Sequence, residues 1–398
     1  MTRTAVVIST ARTPFGKFGG VLQPLTAVEL GAHAIRSALG RVPIEGGQVD
    51  QVLMGMVLQA GAGQIPSRQA SVAAGLPTRV PSATVNKVCA SSLWAANLGE
   101  TLIRAGEASV VVAGGMESMS NAPYLLPGAR WGQRMGDAEM VDSAVHDGLW
   151  CSFGGCHMGV YGGDAAREMG ISRAEQDAWA LRSHRRAVAA QDEGRFTDEL
   201  VPVEVPPRRG SRSYGPLRAE VDEAPRRDTS PEQLAALKPV FRPDDTVTAG
   251  NAPGLNDGAA ALVLAGADRA RELGVEPLAT VVSHAGVSQE PGHLHTVPWL
   301  SAQKALQKAG LTPSDVALWE INEAFAAVAL ASIRLGHLDP ERVNVDGGAI
   351  ALGHPIGASG ARILIHLIHA LRRRGGGYGV AAICSGGGQG EATVVRVG

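Results

Sequence analysis

The chain has 398 residues, with 36 basic against 38 acidic side chains and a net charge of -2, so its charge suits neither a nucleic acid nor an anionic membrane surface as partner. That length fits two or three domains with sizeable cores, and four cysteines are too few to staple so long a chain as a disulfide scaffold. The 51 glycines are about twice the usual share of roughly 7%, and many cluster beside apolar runs, which suits tight turns and close backbone approach rather than disorder.

The N-terminus has too short an apolar run for a secretory signal and meets Arg12-Thr13-Pro14 at once. No apolar stretch reaches membrane-spanning length. A soluble, reducing, cytoplasmic setting is the expectation.

Residues 5–9 read as a strand buried on both faces of a sheet. A loop over 12–20 leads to a helix that runs to about Leu39, with Thr26 as N-cap and Glu29 completing a capping box. Residues 49–57 read as a strand and 68–74 as a helix. The β-branched run 80–88 predicts a strand, and 90–104 a helix, because its apolar residues recur at three- and four-residue steps. Cys89 falls on the turn between them. Free N–H groups and the positive end of the helix dipole would favour a thiolate there, although an isolated cysteine is better read as a small buried hydrophobe. Another buried strand, 109–113, ends in Gly114-Gly115-Met116-Glu117-Ser118.

From about 121 to 249 the chain carries more charge and proline, including Pro206-Pro207-Arg208-Arg209-Gly210 and Glu223-Ala224-Pro225-Arg226-Arg227. A helix over 172–192 is capped by Ser172 with Glu175 as its box partner. The segment is too long for a connection and reads as an inserted domain; its basic pairs suit a solvated face or contact with a phosphate.

After Gly250 the glycine-rich style returns, with a strand at 261–265 and a helix near 268–273. The order of the first part then repeats. Residues 278–282 match the opening strand, 301–309 form a helix and 316–319 a strand. Val343-Asn344-Val345 parallels Val85-Asn86. A helix over 360–373 precedes a strand at 380–383, which ends in Cys384-Ser385-Gly386-Gly387-Gly388 as 111–113 ends in its own glycines. The expected architecture is two similar α/β halves packed together: 1–120 with 250–270, then 271–398, with 121–249 inserted in the first.

Three polar groups of the second half lie at turns: Asn322 in Asn322-Glu323-Ala324-Phe325, His354 within 347–360, and Cys384 at the head of its glycines. Each alone is weak. Together with Cys89 they supply a nucleophile, a base, an amide donor and a second thiol, all at strand ends where sites are built.

On these motifs the sequence strongly resembles the thiolase family over nearly its whole length. The carrying stretches are 86–91, Gly114-Gly115-Met116-Glu117-Ser118-Met119-Ser120, Asn322 to Phe325, 347–360 and Cys384 with its glycines. His157-Met158-Gly159, preceded by Asp147-Gly148-Leu149, is similar to the loop of the short-chain, acetoacetyl-CoA type. The resemblance implies a five-layered α/β/α/β/α body with a loop domain covering CoA, and reversible condensation of two acetyl-CoA to acetoacetyl-CoA and CoA through a cysteine acyl-enzyme. It implies Cys89 as nucleophile, His354 as the group that takes its proton, and Cys384 as the base at the second substrate's α-carbon. Asn322, through a water, and His354 would form one oxyanion hole, and the N–H groups of Cys89 and Gly386 another. Leu149, His157, Met158, Ala249, Pro253, Ala324 and Phe325 would contact the substrate or CoA. Acyl-CoA and CoA would be the partners, in a homodimer or a homotetramer, with no metal or redox cofactor.

Three departures from the family pattern stand out. Ser92 takes the place of a usual glycine, Pro253 that of a serine, and His295-Thr296-Val297-Pro298 that of a Gly-x-Gly-Pro segment. Other readings are a longer-chain degradative 3-ketoacyl-CoA thiolase, a decarboxylating ketoacyl synthase (which normally uses two histidines), and a catalytically idle CoA- or lipid-binding relative.

Overall fold

The structure, a computed structural model, describes residues 3–207 and 217–398. Arg208, Arg209 and Gly210 of the first basic stretch lie outside the described residues. A 10-stranded sheet runs through the molecule. Its main strands are β1 (Ala5–Arg12), β2 (Gln51–Gly55), β3 (Ser82–Val85), β4 (Val110–Ser118), β5 (Asn256–Gly266), β6 (Ala279–Ser288), β7 (Val316–Ile321), β8 (Gly377–Ser385) and β9 (Gln389–Val397). They lie in the order β7-β8-β9-β6-β1-β5-β4-β2-β3, and the short strand Gly16–Lys17 pairs with the start of β5.

Between β1 and β6 only Val6 with Thr280 and Val7 with Ala279 are paired. Divided at this seam, the two sets share one order. β1-β5-β4-β2-β3 on one side matches β6-β9-β8-β7 on the other, where a bridge from Trp319 to Val343 takes the fifth place. The duplication read from the sequence is therefore present strand by strand.

The helices that matter here are α1 (Ala27–Leu39), α2 (Pro66–Ala73), α3 (Ser91–Ala105), α4 (Met158–Glu168), α5 (Arg173–Asp192), α6 (Val297–Ala309), α7 (Ala326–Gly336) and α8 (Ser359–Arg373). α1 and α2 pack on one set of strands and α6 on the other, while α3 and α8 touch strands of both sets and each other. Five layers result, with α3 and α8 in the middle. Side-chain alternation explains why the strands read as unbroken apolar runs. In β4, Val110 and Val112 enter the core under α1 and α2, while Val111 and Ala113 enter the core around α3 and α8. In β5, Ala259, Ala261 and Val263 face the first core, and Ala260, Leu262 and Leu264 the second.

Both capping boxes form: Thr26 with Glu29, and Ser172 with Glu175. The strand expected over 80–88 stops at Val85, because Val88 takes φ +45°, a left-handed conformation that no strand accommodates. The strand expected over 109–113 runs on through its glycines to Ser118. Those glycines mark close approach rather than a turn: a Cβ on Gly114 would lie 2.1 Å from the Ala260 carbonyl oxygen, and one on Gly115 would lie 2.0 Å from that of Gly357. Cys384 likewise lies inside β8 rather than opening the turn.

Candidate active site

The stretch 86–90 is held as a rigid elbow by side chains on both sides of it. Asn86 Oδ1 accepts the Val88 N–H at 3.0 Å, and Ser91 Oγ accepts the Lys87 N–H at 2.8 Å. From the other half, Ser385 Oγ donates to the Lys87 carbonyl at 2.5 Å. This over-determined turn keeps Val88 in its strained conformation and sets Cys89 immediately before α3.

The expectation of a thiolate at this turn is not met. Burial pushes the Cys89 thiol up to about 12; the N–H groups of Cys89 and Gly386 pull it down, but the Glu117 carboxylate adds to the rise. Burial outweighs the helix terminus. Burial also lifts Cys384, and the neighbouring Cys89 sulfur adds to it. Both thiols, one from each half, are thus neutral, and Cys89 lies within electrostatic reach of Cys384.

His354 is held by one neighbour distant in sequence and one in its own loop. Its backbone N–H donates to Asn256 Oδ1 at 2.8 Å, and Gly353, at φ +105°, makes room for the Asn256 side chain. Its Nδ1 lies 2.6 Å from Ser359 Oγ, whose own hydroxyl donates to the Pro355 carbonyl at 2.9 Å. With that proton committed, Ser359 can only accept, so Nδ1 carries the ring hydrogen and Nε2 keeps its lone pair. Burial, and then the Arg362 charge, lower the imidazole to about 3, so it is neutral. Asn322 Nδ2 lies 3.5 Å from Nε2, and Asn322 Oδ1 is buried with no hydrogen-bond partner among the described residues.

Two buried carboxylates, not assigned a part from the sequence, brace these loops. Glu117 accepts the N–H groups of Val57 (3.0 Å), Leu58 (3.2 Å) and Gly357 (3.0 Å), tying the wall beside Cys89 to the loop that carries His354. Burial pushes Glu117 up to about 7. Glu323 accepts from Trp179 Nε1 (2.9 Å), Ser183 Oγ (2.8 Å), Asn344 Nδ2 (2.9 Å) and the Ile350 N–H (3.0 Å), fixing the turn after Asn322. Both lie inside the stretches that carry the resemblance, but their acceptor role toward groups distant in sequence is not visible in spacing.

The other expected residues divide into two groups. Leu149 and Cys89 both pack against the cluster of Val57, Leu58 and Ile356. Phe325 and Cys384 belong to one buried cluster, against which Met158 and Ala324 pack. His157 caps α4 by accepting the Gly159 N–H at 3.0 Å and stacks on Phe241 at 4.5 Å. A cleft of about 530 Å³ is lined by Val57, Asn86, Val88, Cys151, Met158 and Gly386, among others. Ala249 is exposed and Pro253 half-buried, and neither lines this cleft. Of the basic pairs, Arg227 is engaged with Asp192 at 2.6 Å.

Ser92 is fully buried, and its Oγ accepts the Ala361 N–H at 2.9 Å, serving the first turn of α8 from the first turn of α3. It points into the helix layer. Ser92→Gly is expected to cost about 1 kcal/mol in a denaturant titration, the size of a lost cap, and to leave acyl-chain preference unchanged in steady-state assays.

Comparison with known proteins agrees with this geometry. The thiolase N-terminal domain family matches residues 5–268 and the thiolase C-terminal domain family residues 275–397. The chain is 50% identical over 387 residues to the acetyl-CoA acetyltransferase of Pseudomonas aeruginosa, covering 97% of this chain and 98% of that one. It is 49% identical over 391 residues to the acetyl-CoA acetyltransferase of Cupriavidus necator, covering 98% of each. It superposes on the crystal structure of the Bacillus anthracis acetyl-CoA acetyltransferase with a TM-score of 0.96 at 40% identity, over 100% of this chain and 99% of that one. A likeness that spans both halves, their shared strand order and the loops bearing Cys89, Asn322, His354 and Cys384 leads to one assignment: the chain belongs to the thiolase family.

Proposed function

We propose that this thiolase is an acetyl-CoA acetyltransferase, joining two acetyl-CoA into acetoacetyl-CoA and CoA or running the reverse thiolysis. The observation that carries this reading is the pair of thiols from opposite halves, half-buried Cys89 and buried Cys384, within electrostatic reach of each other and accompanied by a neutral histidine. Condensation needs a nucleophile to hold one acyl group and a separate base to deprotonate the second substrate.

Cys89 takes the acetyl group as a thioester, which remains as reactive as on CoA. His354 Nε2, left with its lone pair by the Ser359 contact, receives the thiol proton. With the thiol at about 12 and the imidazole at about 3, a free thiolate–imidazolium pair is costly, so the proton moves as the carbon–sulfur bond forms. As the bond to Cys89 forms, the bond to CoA breaks and Cys384 gives its proton to the leaving CoA sulfur. This turns Cys384 into the thiolate that later removes the α-proton. His354, now protonated at Nε2, becomes a donor and joins Asn322 in stabilising the enolate. The N–H groups of Cys89 and Gly386 serve the thioester oxygen.

Leu149, Met158, Ala324 and Phe325 surround the acyl end, and their apolar crowding supports a short acyl group. His157, Ala249 and Pro253 flank the CoA arm. Residues 121–249 act as a covering unit set into the half formed by 1–120 and 250–270, with 271–398 as the other half. A cytoplasmic dimer or tetramer that serves fatty acid metabolism completes the reading.

A panel of 3-ketoacyl-CoA thioesters from four carbons upward tests it. Fastest thiolysis of the four-carbon substrate, with acetyl recovered on Cys89 after incubation with acetyl-CoA, is the expected result. A maximum at long chains would place it among degradative thiolases, and no acylation of Cys89 would leave it an idle CoA binder.

A further inference from the structure

The chain has a second thiol pair that takes no part in the proposed chemistry. Trp150–Cys151 and Cys156–His157 are two short antiparallel strands, with Cys151 directly opposite Cys156. Opposed residues of an antiparallel ladder have Cα atoms about 4.5 or 5.5 Å apart, and both spacings fall within the range that a disulfide spans. The connecting turn is Ser152-Phe153-Gly154-Gly155, with Gly155 at φ +61°.

The surroundings of Cys151 suit a thiolate. Tyr161 O–H donates to its sulfur at 3.5 Å, and the Gly154 N–H does so at 3.5 Å. Burial works against its ionisation, yet Tyr161 and the N–H groups of Gly154 and Phe153 outweigh this and hold the thiol below the ordinary cysteine range. Cys89, by contrast, is raised. Gly154 is what lets the phenol in: a Cβ there would lie 1.8 Å from Tyr161 Oη and 3.6 Å from Cys156 Sγ, so hydroxyl and second sulfur meet at one point. The Arg242 guanidinium, held by Asp164 at 2.6 Å, is within electrostatic reach of Cys156. Cys151 lines the cleft that Gly386 and Met158 also line, whereas Cys156 is half-exposed.

We propose that Cys151 and Cys156 form a thiol–disulfide exchange site, in which Cys151 attacks a low-molecular-weight disulfide entering the cleft and Cys156 resolves the adduct. In the first step Cys151 Sγ bonds to one sulfur of the external disulfide and the other leaves as a thiolate. Cys156 Sγ then attacks Cys151 Sγ and expels the remaining external thiolate. The two protein thiols are oxidised to one intrachain disulfide, the external disulfide is reduced to two thiols, and the two protons end on those thiols. This chemistry is independent of the acyl transfer proposed above.

The test uses oxidised glutathione on the full chain and on a Cys89→Ser, Cys384→Ser double variant, which keeps only this pair. Peptide mass mapping of that variant is expected to show a Cys151–Cys156 crosslink within one chain, reversed by dithiothreitol. Adding Cys156→Ser should arrest the reaction as a glutathione adduct on Cys151, and Tyr161→Phe should slow adduct formation at least several-fold. Two thiols that persist, an adduct confined to Cys156, or crosslinks only between chains would overturn the proposal. If the double variant does not fold, mapping the wild-type chain with iodoacetamide-blocked and unblocked samples reads the same crosslink: its presence supports the proposal and its absence overturns it.

Discussion

Cys89→Ser is expected to lower kcat for acetoacetyl-CoA thiolysis by on the order of 10⁴–10⁶, as removing a nucleophile that acts as a unit with its base does elsewhere. Serine fits the volume, so circular dichroism and melting should match the parent. The loss arises from chemistry: an alkoxide is far harder to form than a thiolate, and an oxygen ester lacks the reactivity of a thioester. Two readouts separate this from a binding defect. Acetyl-CoA should leave no acetyl group on position 89, and the affinity for CoA should change less than about tenfold. A turnover within tenfold of wild type would remove Cys89 from the mechanism.

His366→Ala is the second large effect, on stability. A buried charge network joins β1, α8 and the segment before Asn256. Arg12 is fully buried and contacts Glu199 at 2.8 Å and Asp222 at 2.7 and 2.9 Å. Glu199 also accepts from His366 Nδ1 at 3.1 Å, and His366 Nε2 lies 3.3 Å from Asp346, which Arg195 and Arg373 hold at 2.5 and 2.8 Å. Burial alone lowers a histidine, but the charges of Glu199 and Glu320, and Asp346, lift this one to about 10. His366 is therefore an imidazolium at neutral pH. Removing it strips one partner from two buried carboxylates, a change that costs about 3–5 kcal/mol where no other cation remains. Arg12, Arg195 and Arg373 do remain, so about 3 kcal/mol is expected at pH 7.

The sign of the pH dependence follows from the raised value. The folded protein holds this proton more tightly than the unfolded chain does. The stabilisation is fully present below the unfolded value of about 6.5 and is lost as pH rises through about 10. Thermal unfolding at fixed protein concentration should show the gap between wild type and His366→Ala narrowing from pH 7 to about pH 10. A gap that stays constant would mean that His366 is neutral and contributes by packing alone.

What could be read in advance was whatever rests on local rules or repeated order. Thr26 with Glu29 and Ser172 with Glu175 announce their helices because a capping box is complete within four residues. The repeat was legible because each half lays down its strands in the same sequence. α4 is not legible in the sequence because its glycines argue against a helix. They are needed there: a Cβ on Gly162 would lie 2.8 Å from the Phe325 ring and one on Gly163 1.8 Å from Asp245. β9 is likewise masked by the glycine-rich turn at 386–388 that precedes it. At the site, the residue types were legible and their electrostatics were not. The ionisation of Cys89 depends on burial and on Glu117, and the tautomer of His354 on Ser359, neither of which sequence spacing reveals.

The central pair of helices carries a consequence for biosynthesis. α3 has no complete surroundings until α8, made some 250 residues later, closes against it; a Cβ on Gly360 would lie 2.5 Å from Leu93 N, so the fit is close. At roughly 5–20 residues per second, translation separates the two by tens of seconds. A nascent chain therefore emerges with its nucleophile in place and the apolar face behind it bare. At that stage it is a half-built enzyme that cannot yet acylate itself, because the histidine and the second thiol are still to be translated.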